Sequence, residues 1–256
     1  LERAPLVLTP HMTKPLRGEA NPNDHVILTS GSYNLGFMAA RAEPQIMDLL
    51  DWWGEKLRFD CRVDMAAGLF TDQKWMDLAP GFVSDLAILR TPTLNLAYWN
   101  LEGRELGKGP EGWTVEGQPL AFFHFSGFDP LRPDLLSKHQ DRIKVEPGSV
   151  LAALLQEYAA VLLRNGHEAA SATPYAHRAF PSGQLVSKET RRRMLAAARV
   201  GEDFGGGLTA AAGMGGPGQH AVFGGDPALA LAAQEPGHAF LQAGGHQHLG
   251  VADAHQ

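Results

Sequence analysis

Cysteine is almost missing from these 256 residues: Cys61 stands alone, which excludes an internal disulfide framework and a multi-cysteine zinc site. Beside Arg62 its thiol could lose its proton more readily, but an inert structural thiol is the plainer reading. Long apolar runs are also missing. None approaches the roughly 20 residues that a membrane helix needs, and no charged-then-apolar leader opens the chain. Nor is there a surplus of positive charge: 22 Lys and Arg face 28 Asp and Glu, a net charge of -6. No basic surface therefore points to nucleic acid, and membrane association is peripheral at most. These absences describe a cytoplasmic protein. Three catalytic signatures are absent as well: the Gly-x-x-x-x-Gly-Lys phosphate loop, the Gly-x-Ser-x-Gly elbow and His-Glu-x-x-His.

One absence is local. Every Lys and Arg lies at or before Arg199, while residues 201–256 carry 14 of the 29 glycines and 5 of the 11 histidines. Without hydrophobic periodicity such a segment buries too little apolar surface to offset its ordering entropy. It reads as a disordered Gly/Ala-rich tail with bystander histidines, a His-rich metal tract being the alternative. The chain begins at Leu1 rather than Met, the mark of a fragment or a processed product.

Residues 1–200 carry the folding signals. Pro5 to Pro10 predicts a short buried strand closed by proline. Val26-Ile-Leu-Thr and Tyr33-Asn-Leu-Gly-Phe-Met follow as apolar stretches, the second being the better strand. Ile46, Leu49, Leu50, Trp53 and Leu57 recur at helical spacing over Glu43 to Phe59, with Pro44 suited to the first turn. Leu86-Ala-Ile-Leu and Leu94-Asn-Leu-Ala-Tyr read as short strands. Trp113–Val115 and Ala121–Phe125 bracket Gly117-Gln118-Pro119 as a hairpin. Ser149 opens a helix to Arg164, and Ser187 caps a basic one to Ala198. Strands mixed with two or three helices predict an α/β or α+β layer structure. The repeated strand–helix units of a complete doubly wound sheet are lacking, as if this were its second half.

Three polar clusters interrupt that pattern. In Tyr33-Asn34-Leu35-Gly36-Phe37 an Asn sits inside an apolar strand, costly unless its amide is satisfied, and Gly36 admits close approach of a ligand or another backbone. A bulge with a satisfied core Asn explains it equally well. In Thr71-Asp72-Gln73-Lys74-Trp75 a carboxylate and an amide stand between aromatic residues, an arrangement suited to sugar hydroxyls; Asp72 could also cap a short turn over 72–78. In Phe122-Phe-His124-Phe-Ser126-Gly127 a histidine closes a strand, with Lys138-His139 downstream. His124 is either a satisfied core residue, a metal ligand or a neighbour of phosphate, and Lys138 a point charge for that phosphate. A small metal hydrolase on His124 and Asp72 would lack the further ligands an independent site needs.

Taken in order, these motifs resemble the later motifs of a glycosyltransferase of the GT-A fold, the nucleotide-diphospho-sugar transferases. The likeness is to retaining, family-eight-like enzymes and to bacterial transferases of surface-polysaccharide synthesis. It runs from about Leu6 to Ala198. Its carriers are Leu8-Thr-Pro-His11, Tyr33-Asn34-Leu35-Gly36-Phe37, Gly68-Leu-Phe-x-Asp72-Gln73-Lys74-Trp75, Tyr98-Trp99-Asn100-Leu101, Phe122-Phe-His124-Phe-Ser126-Gly127-Phe128 and Ser137-Lys138-His139-Gln140. The resemblance implies that Asp72 and Gln73 orient the donor sugar where bonds exchange, and that Asn34 and Gly36 line its pocket. It makes His124 a ligand of a divalent cation, Mn2+ or Mg2+, with Gly127 and Lys138 meeting the diphosphate. The implied partners are a nucleotide-sugar donor and a glycan or lipid-linked acceptor. One element of the family pattern is absent: the metal-holding Asp-x-Asp occurs nowhere in the chain. The expectation is therefore the C-terminal part of a GT-A fold over 1–200, a mixed sheet with flanking helices, without its nucleotide-binding front half. The alternative is a non-catalytic remnant or a glycan-binding module.

Overall fold

A computed structural model describes residues 3–200 and the backbone of 240–242. The expected disorder of 201–256 thus lies outside the described residues, those three positions apart. Residues 3–165 with 240–242 form one compact unit, and 166–200 lie in a second. The fold is mixed α/β: small sheets, one of them with parallel and antiparallel pairings, flanked by helices.

The first unit opens with β1 (Leu6–Pro10), whose Leu6, Val7, Leu8 and Thr9 are buried. Next comes α1 (Asp24–Ser30), where Val26-Ile-Leu-Thr had read as an apolar stretch of strand type. It is helical because the Asn23 side chain caps it, accepting from the Val26 amide at 3.1 Å. Ile27 and Ser30 face inward, and Gly31 ends the helix. β2 (Tyr33–Ala40) runs antiparallel to β1 with Leu6 opposite Ala40, Val7 opposite Ala39 and Leu8 opposite Met38; the register then slips before Pro10 pairs with Tyr33. α2 (Pro44–Asp60) has Pro44 in its first turn as expected and buries Ile46, Leu49 and Trp53. It stops at exposed Cys61.

A two-stranded turn follows, β3 (Val63–Asp64) with β4 (Leu69–Phe70). A 3-10 segment over Gln73–Leu78 runs into α3 (Ala79–Phe82). Asp72 occupies the capping position of that segment but its side chain makes no capping bond, so the capping expectation is not met. β5 (Leu86–Ile88) returns to β1 in parallel, giving the sheet order β2-β1-β5.

Leu94-Asn-Leu-Ala-Tyr is not a strand. Asn95 adopts φ +56 in the left-handed region, which breaks the extended run and leaves Leu96 as a single bridge to Phe123. β6 (Leu106–Gly109), β7 (Gly112–Val115) and β8 (Gln118–Pro119) make a meander. The expected hairpin closes differently from the sequence reading: Val115 pairs with Gln118 and Thr114 with Pro119. Glu116 and Gly117 both have positive φ, the two-residue turn that matches strand twist, so the return strand is 118–119. β9 (Phe122–His124) leaves the meander to bridge Leu96 on one side and pair antiparallel with β10 (Phe240–Gln242), His124 opposite Phe240.

Between β9 and β10 in sequence lies α4 (Val150–Arg164), capped as expected by Ser149, whose hydroxyl accepts from the Ala152 amide at 3.1 Å. Its inner face buries Leu154, Leu155 and Tyr158 against Leu96, Leu101, Trp113, Val115, Phe123 and Phe125. Phe125 and Tyr158 stack at 3.7 Å between centroids. This core fixes the far end of β9 and hence the place of His124. Arg142 ties down the loop after β1. Its guanidinium donates to the carbonyls of Arg17, Ala20 and Pro22 and pairs with Glu102.

In the second unit α5 (His167–Ala172) follows Gly166. Ser187 caps α6 (Lys188–Arg199), one residue longer than expected. Arg191 donates to the His177 carbonyl. Among the described residues no helix is long and apolar enough to cross a membrane.

Candidate functional site

The site lies in the first unit, where β1, β2, the 3-10 segment, the loop at Asn95 and β9 bring five separate stretches of sequence together. At its centre is Asn34, 6% exposed. All four hydrogen-bonding positions of its amide are used within the chain. Nδ2 donates to His11 Nε2 at 3.1 Å and to Gln73 Oε1 at 3.3 Å. Oδ1 accepts from the Gly36 amide at 2.9 Å and from Asn95 Nδ2 at 2.9 Å. Each of those neighbours is anchored in turn. Gln73 Nε2 donates to the Ser30 carbonyl at 3.0 Å, and His11 Nδ1 lies 2.7 Å from the Gly31 carbonyl. Asn95 also donates to Thr9 Oγ1 at 2.9 Å, whose hydroxyl donates to the Asn34 carbonyl. His124 Nδ1 sits 3.0 Å from Asn95 Oδ1. A buried polar network this complete is stabilising, because no member is left to bear its desolvation cost alone.

His124 is 3% exposed and His11 4% exposed. Trp99 lies edge-on to both rings, 5.0 Å from His124 and 5.4 Å from His11. Burial drives the His11 pKa down to about 4, against the opposing pull of the Gly31 carbonyl and the Asp77 carboxylate. His11 is thus neutral at physiological pH, its Nδ1 proton on Gly31 and its Nε2 accepting from Asn34.

The expected site residues fall into two groups. Asn34, Gly36, Gln73 and His124 share this network, although 90 residues separate the first from the last. Gly36 is required there by space: a Cβ on it would stand 2.2 Å from His124 Nδ1 and 2.5 Å from Asn95 Oδ1. Asp72 adjoins Gln73, with its carbonyl accepting from Trp53 Nε1 at 3.1 Å. Its Oδ2 is buried and has no partner among the described residues, and the same holds for Trp99 Nε1 beside the histidines. Native proteins seldom leave such atoms unpaired, so each marks a place for a ligand atom or a water.

Gly127 and Lys138 form the second group, joined to the first through β9. A turn after His124 brings Gly127 against the 137–139 loop, and the Lys138 amide donates to the Gly127 carbonyl at 3.0 Å. Gly127 has φ +70, and a Cβ there would strike Ser137 Oγ at 2.6 Å. The Lys138 side chain is exposed. Ring contacts from His124 to Trp99, Trp99 to Tyr98 at 4.8 Å and Tyr98 to His139 at 6.4 Å span the two groups.

Thr9, His11, Asn95 and Trp99 belong to the site without having been singled out for a role. His11 and Trp99 lie in stretches that carry the family resemblance. Asn95 showed the signal that drew attention to Asn34, an amide inside an apolar run. Among the described residues no three His, Cys, Asp or Glu side chains group as a metal site. His124 has a single imidazole, one nitrogen of which already faces Asn95 Oδ1. A histidine alone supplies at most one ligand to a divalent cation, the others having to come from phosphate oxygens and water.

No family model matches the chain, and no solved structure matches it. Two curated proteins of Bacillus subtilis (strain 168) do. The uncharacterized protein YfnF is 32% identical over 100 residues, 38% of this chain and 33% of YfnF. The uncharacterized protein YfnD is 27% identical over 101 residues, 39% of this chain and 32% of YfnD. The matched region thus spans about a third of the length of these relatives.

Proposed function

We propose that the chain is the sugar- and diphosphate-binding part of a metal-dependent glycosyltransferase of the GT-A fold. It moves a sugar from a nucleotide-diphosphate donor to a glycan or lipid-linked acceptor, with retention, in cytoplasmic synthesis of a surface polysaccharide. The observation that carries this reading is the convergence of Asn34, Gly36, Gln73 and His124 in one hydrogen-bonded cluster, with Asp72 Oδ2, unpartnered among the described residues, beside it. These are the residues that the family resemblance selects in order along the chain.

The roles are those that the family resemblance implies, read onto this geometry. Asp72 is the acceptor for a donor-sugar hydroxyl, since its Oδ2 is desolvated and without a partner among the described residues. Gln73 holds the start of the 3-10 segment through Ser30 and Asn34, so it positions that carboxylate. Asn34 and Gly36 line the pocket as its rigid floor, the Asn34 amide being fully engaged inside the chain. Gly127 keeps its backbone clear for the diphosphate, and Lys138 supplies a mobile positive charge to it. His124 is the protein ligand of the cation, Mn2+ or Mg2+, which when bound neutralises charge on the departing diphosphate. Positioning supplies most of the catalysis in this scheme.

Calorimetric titration of a panel of nucleotide sugars, with and without manganese, tests the reading. Saturable, manganese-dependent binding of one nucleotide class is expected. Binding of free glycans with no response to any nucleotide sugar would replace it by a glycan-binding module.

A further inference from the structure

Charge changes sign along the chain. Residues 1–165 carry 16 Lys and Arg against 21 Asp and Glu, whereas residues 166–200 of the second unit carry six against two. The balance of the whole chain hides this reversal. Five of the six cations lie in α6, and the helical period sorts them. At about 100° per residue, Lys188, Arg192 and Arg199 fall within about 40° of one another, in a line about 16 Å long. All three are exposed. The opposite side of the helix carries half-buried Thr190 and Met194 and buried Ala197. Arg191 turns away from the line to donate to the His177 carbonyl at 2.6 Å. Glu189, the one acid of the helix, lies off the line and pairs with Arg193 at 3.0 Å. The sixth cation, exposed Arg178, is tied to the approach to the helix, its carbonyl accepting from the Val186 amide at 2.9 Å.

We propose that the Lys188–Arg192 face of α6 is a docking surface for an anionic phospholipid membrane, met peripherally by the second unit. Charge complementarity sets the sign of the partner, and two further observations set its kind. Apolar side chains are exposed at both ends of the helix: Leu185, 59% exposed, precedes the Ser187 cap, and Val200, 71% exposed, follows the last turn. A lipid interface takes up cations and apolar side chains together, whereas the backbone of a nucleic acid rewards the cations alone. The sequence on either side of this unit is acidic, with five acidic and no basic residues over 201–256. A flat anionic surface can be met by one basic face, while an extended polyanion lying along the chain would be repelled by the rest. α6 does not insert deeply, since it has only 12 residues and its Met194 and Leu195 are already half-buried. The attraction is therefore chiefly electrostatic, and it is independent of the glycosyltransferase reading.

The test mixes the full chain with vesicles of phosphatidylcholine alone, or of phosphatidylcholine and phosphatidylglycerol in equal parts, and reads the bound fraction by sedimentation. The expected result is binding to the anionic vesicles only, present at about 0.1 M salt and lost near 1 M, where the Debye length has shrunk to about 3 Å. A Lys or Arg close to such a surface changes binding about fivefold, so the double variant Lys188→Gln, Arg192→Gln should bind about 25-fold more weakly. Glu189→Gln removes the acid of the helix and should bind about fivefold more tightly, a gain that misfolding does not produce. Equal binding to both kinds of vesicle, or a double variant that binds as the wild type does, overturns the proposal. Retention of double-stranded DNA of mixed sequence by a chain that ignores the anionic vesicles overturns it too and gives the surface to nucleic acid. A chain that binds anionic vesicles but no nucleotide sugar would lose the glycosyltransferase reading and keep this surface.

Discussion

Gly36 shows how much of the site hangs on the absence of one methyl group. A Cβ there would fall 2.2 Å from His124 Nδ1, 2.5 Å from Asn95 Oδ1 and 2.7 Å from Asn34 Oδ1, all buried and all bonded. None of these atoms is the free end of a flexible side chain. Gly36→Ala is therefore expected to destabilise the unit by about 1–3 kcal/mol, the usual range for overpacking. Gly54, inside α2 with nothing within 4 Å of a Cβ, is the control. Gly54→Ala should stabilise by about 0.5–1 kcal/mol, because alanine loses less backbone entropy in a helix. Urea midpoints of both variants decide the matter, and equal shifts would contradict the packing argument.

His11 makes the same network sensitive to acid. Its pKa falls from 6.5 to about 4 on burial, so between those values the unfolded chain binds a proton that the folded chain refuses. The stability that neutral His11 confers is therefore complete above about pH 6.5 and is lost as pH falls toward 4. The loss amounts to roughly 3 kcal/mol. Protonation would also set an Nε2–H against Asn34 Nδ2, two donors face to face. Urea unfolding followed from pH 7 down to 4 should show this slope, and His11→Gln should flatten it.

At the scale of elements, legibility followed the strength of local signals. α2 and α4 were readable because periodic apolar residues coincide with an N-terminal signal in each, Pro44 and Ser149, and α6 through its Ser187 cap. Ser149→Ala should cost about 1 kcal/mol by orphaning the Ala152 amide, and a thermal melt that did not move would refute the cap. α1 was less readable, since seven residues show no period and only the Asn23 cap decides their conformation. The Leu94–Tyr98 stretch misled for a different reason. Its composition favours a strand, while a left-handed Asn95 held by tertiary hydrogen bonds forbids one. The site divides the same way. Asn34, Gly36, Gln73 and His124 announced themselves as polar or small residues in apolar surroundings, whereas the pairing of His11 with Asn34 arises only when β1 and β2 align.

For the whole molecule, charge distribution separates local from global attraction for a diphosphate. Of the net -6, residues 201–256 supply five acidic groups and no basic ones, leaving 22 basic against 23 acidic groups in 1–200. A nearly neutral body offers little long-range pull on an anion. Whatever attraction the proposed donor site exerts must then come from groups at short range, and Lys138, exposed beside Gly127, is placed to supply it. Such an attraction between exposed charges is screened as ionic strength rises, the Debye length shrinking from about 10 Å at 0.1 M to about 3 Å at 1 M. Nucleotide-sugar affinity of the wild type should accordingly fall with added salt. In Lys138→Ala it should be about 10-fold weaker at low salt and nearly independent of salt, with an unchanged melting temperature, because an exposed side chain contributes little to stability. Calorimetric titrations across that salt range check both arms. A variant that kept the wild-type slope would remove Lys138 from the diphosphate and assign the attraction to another cation.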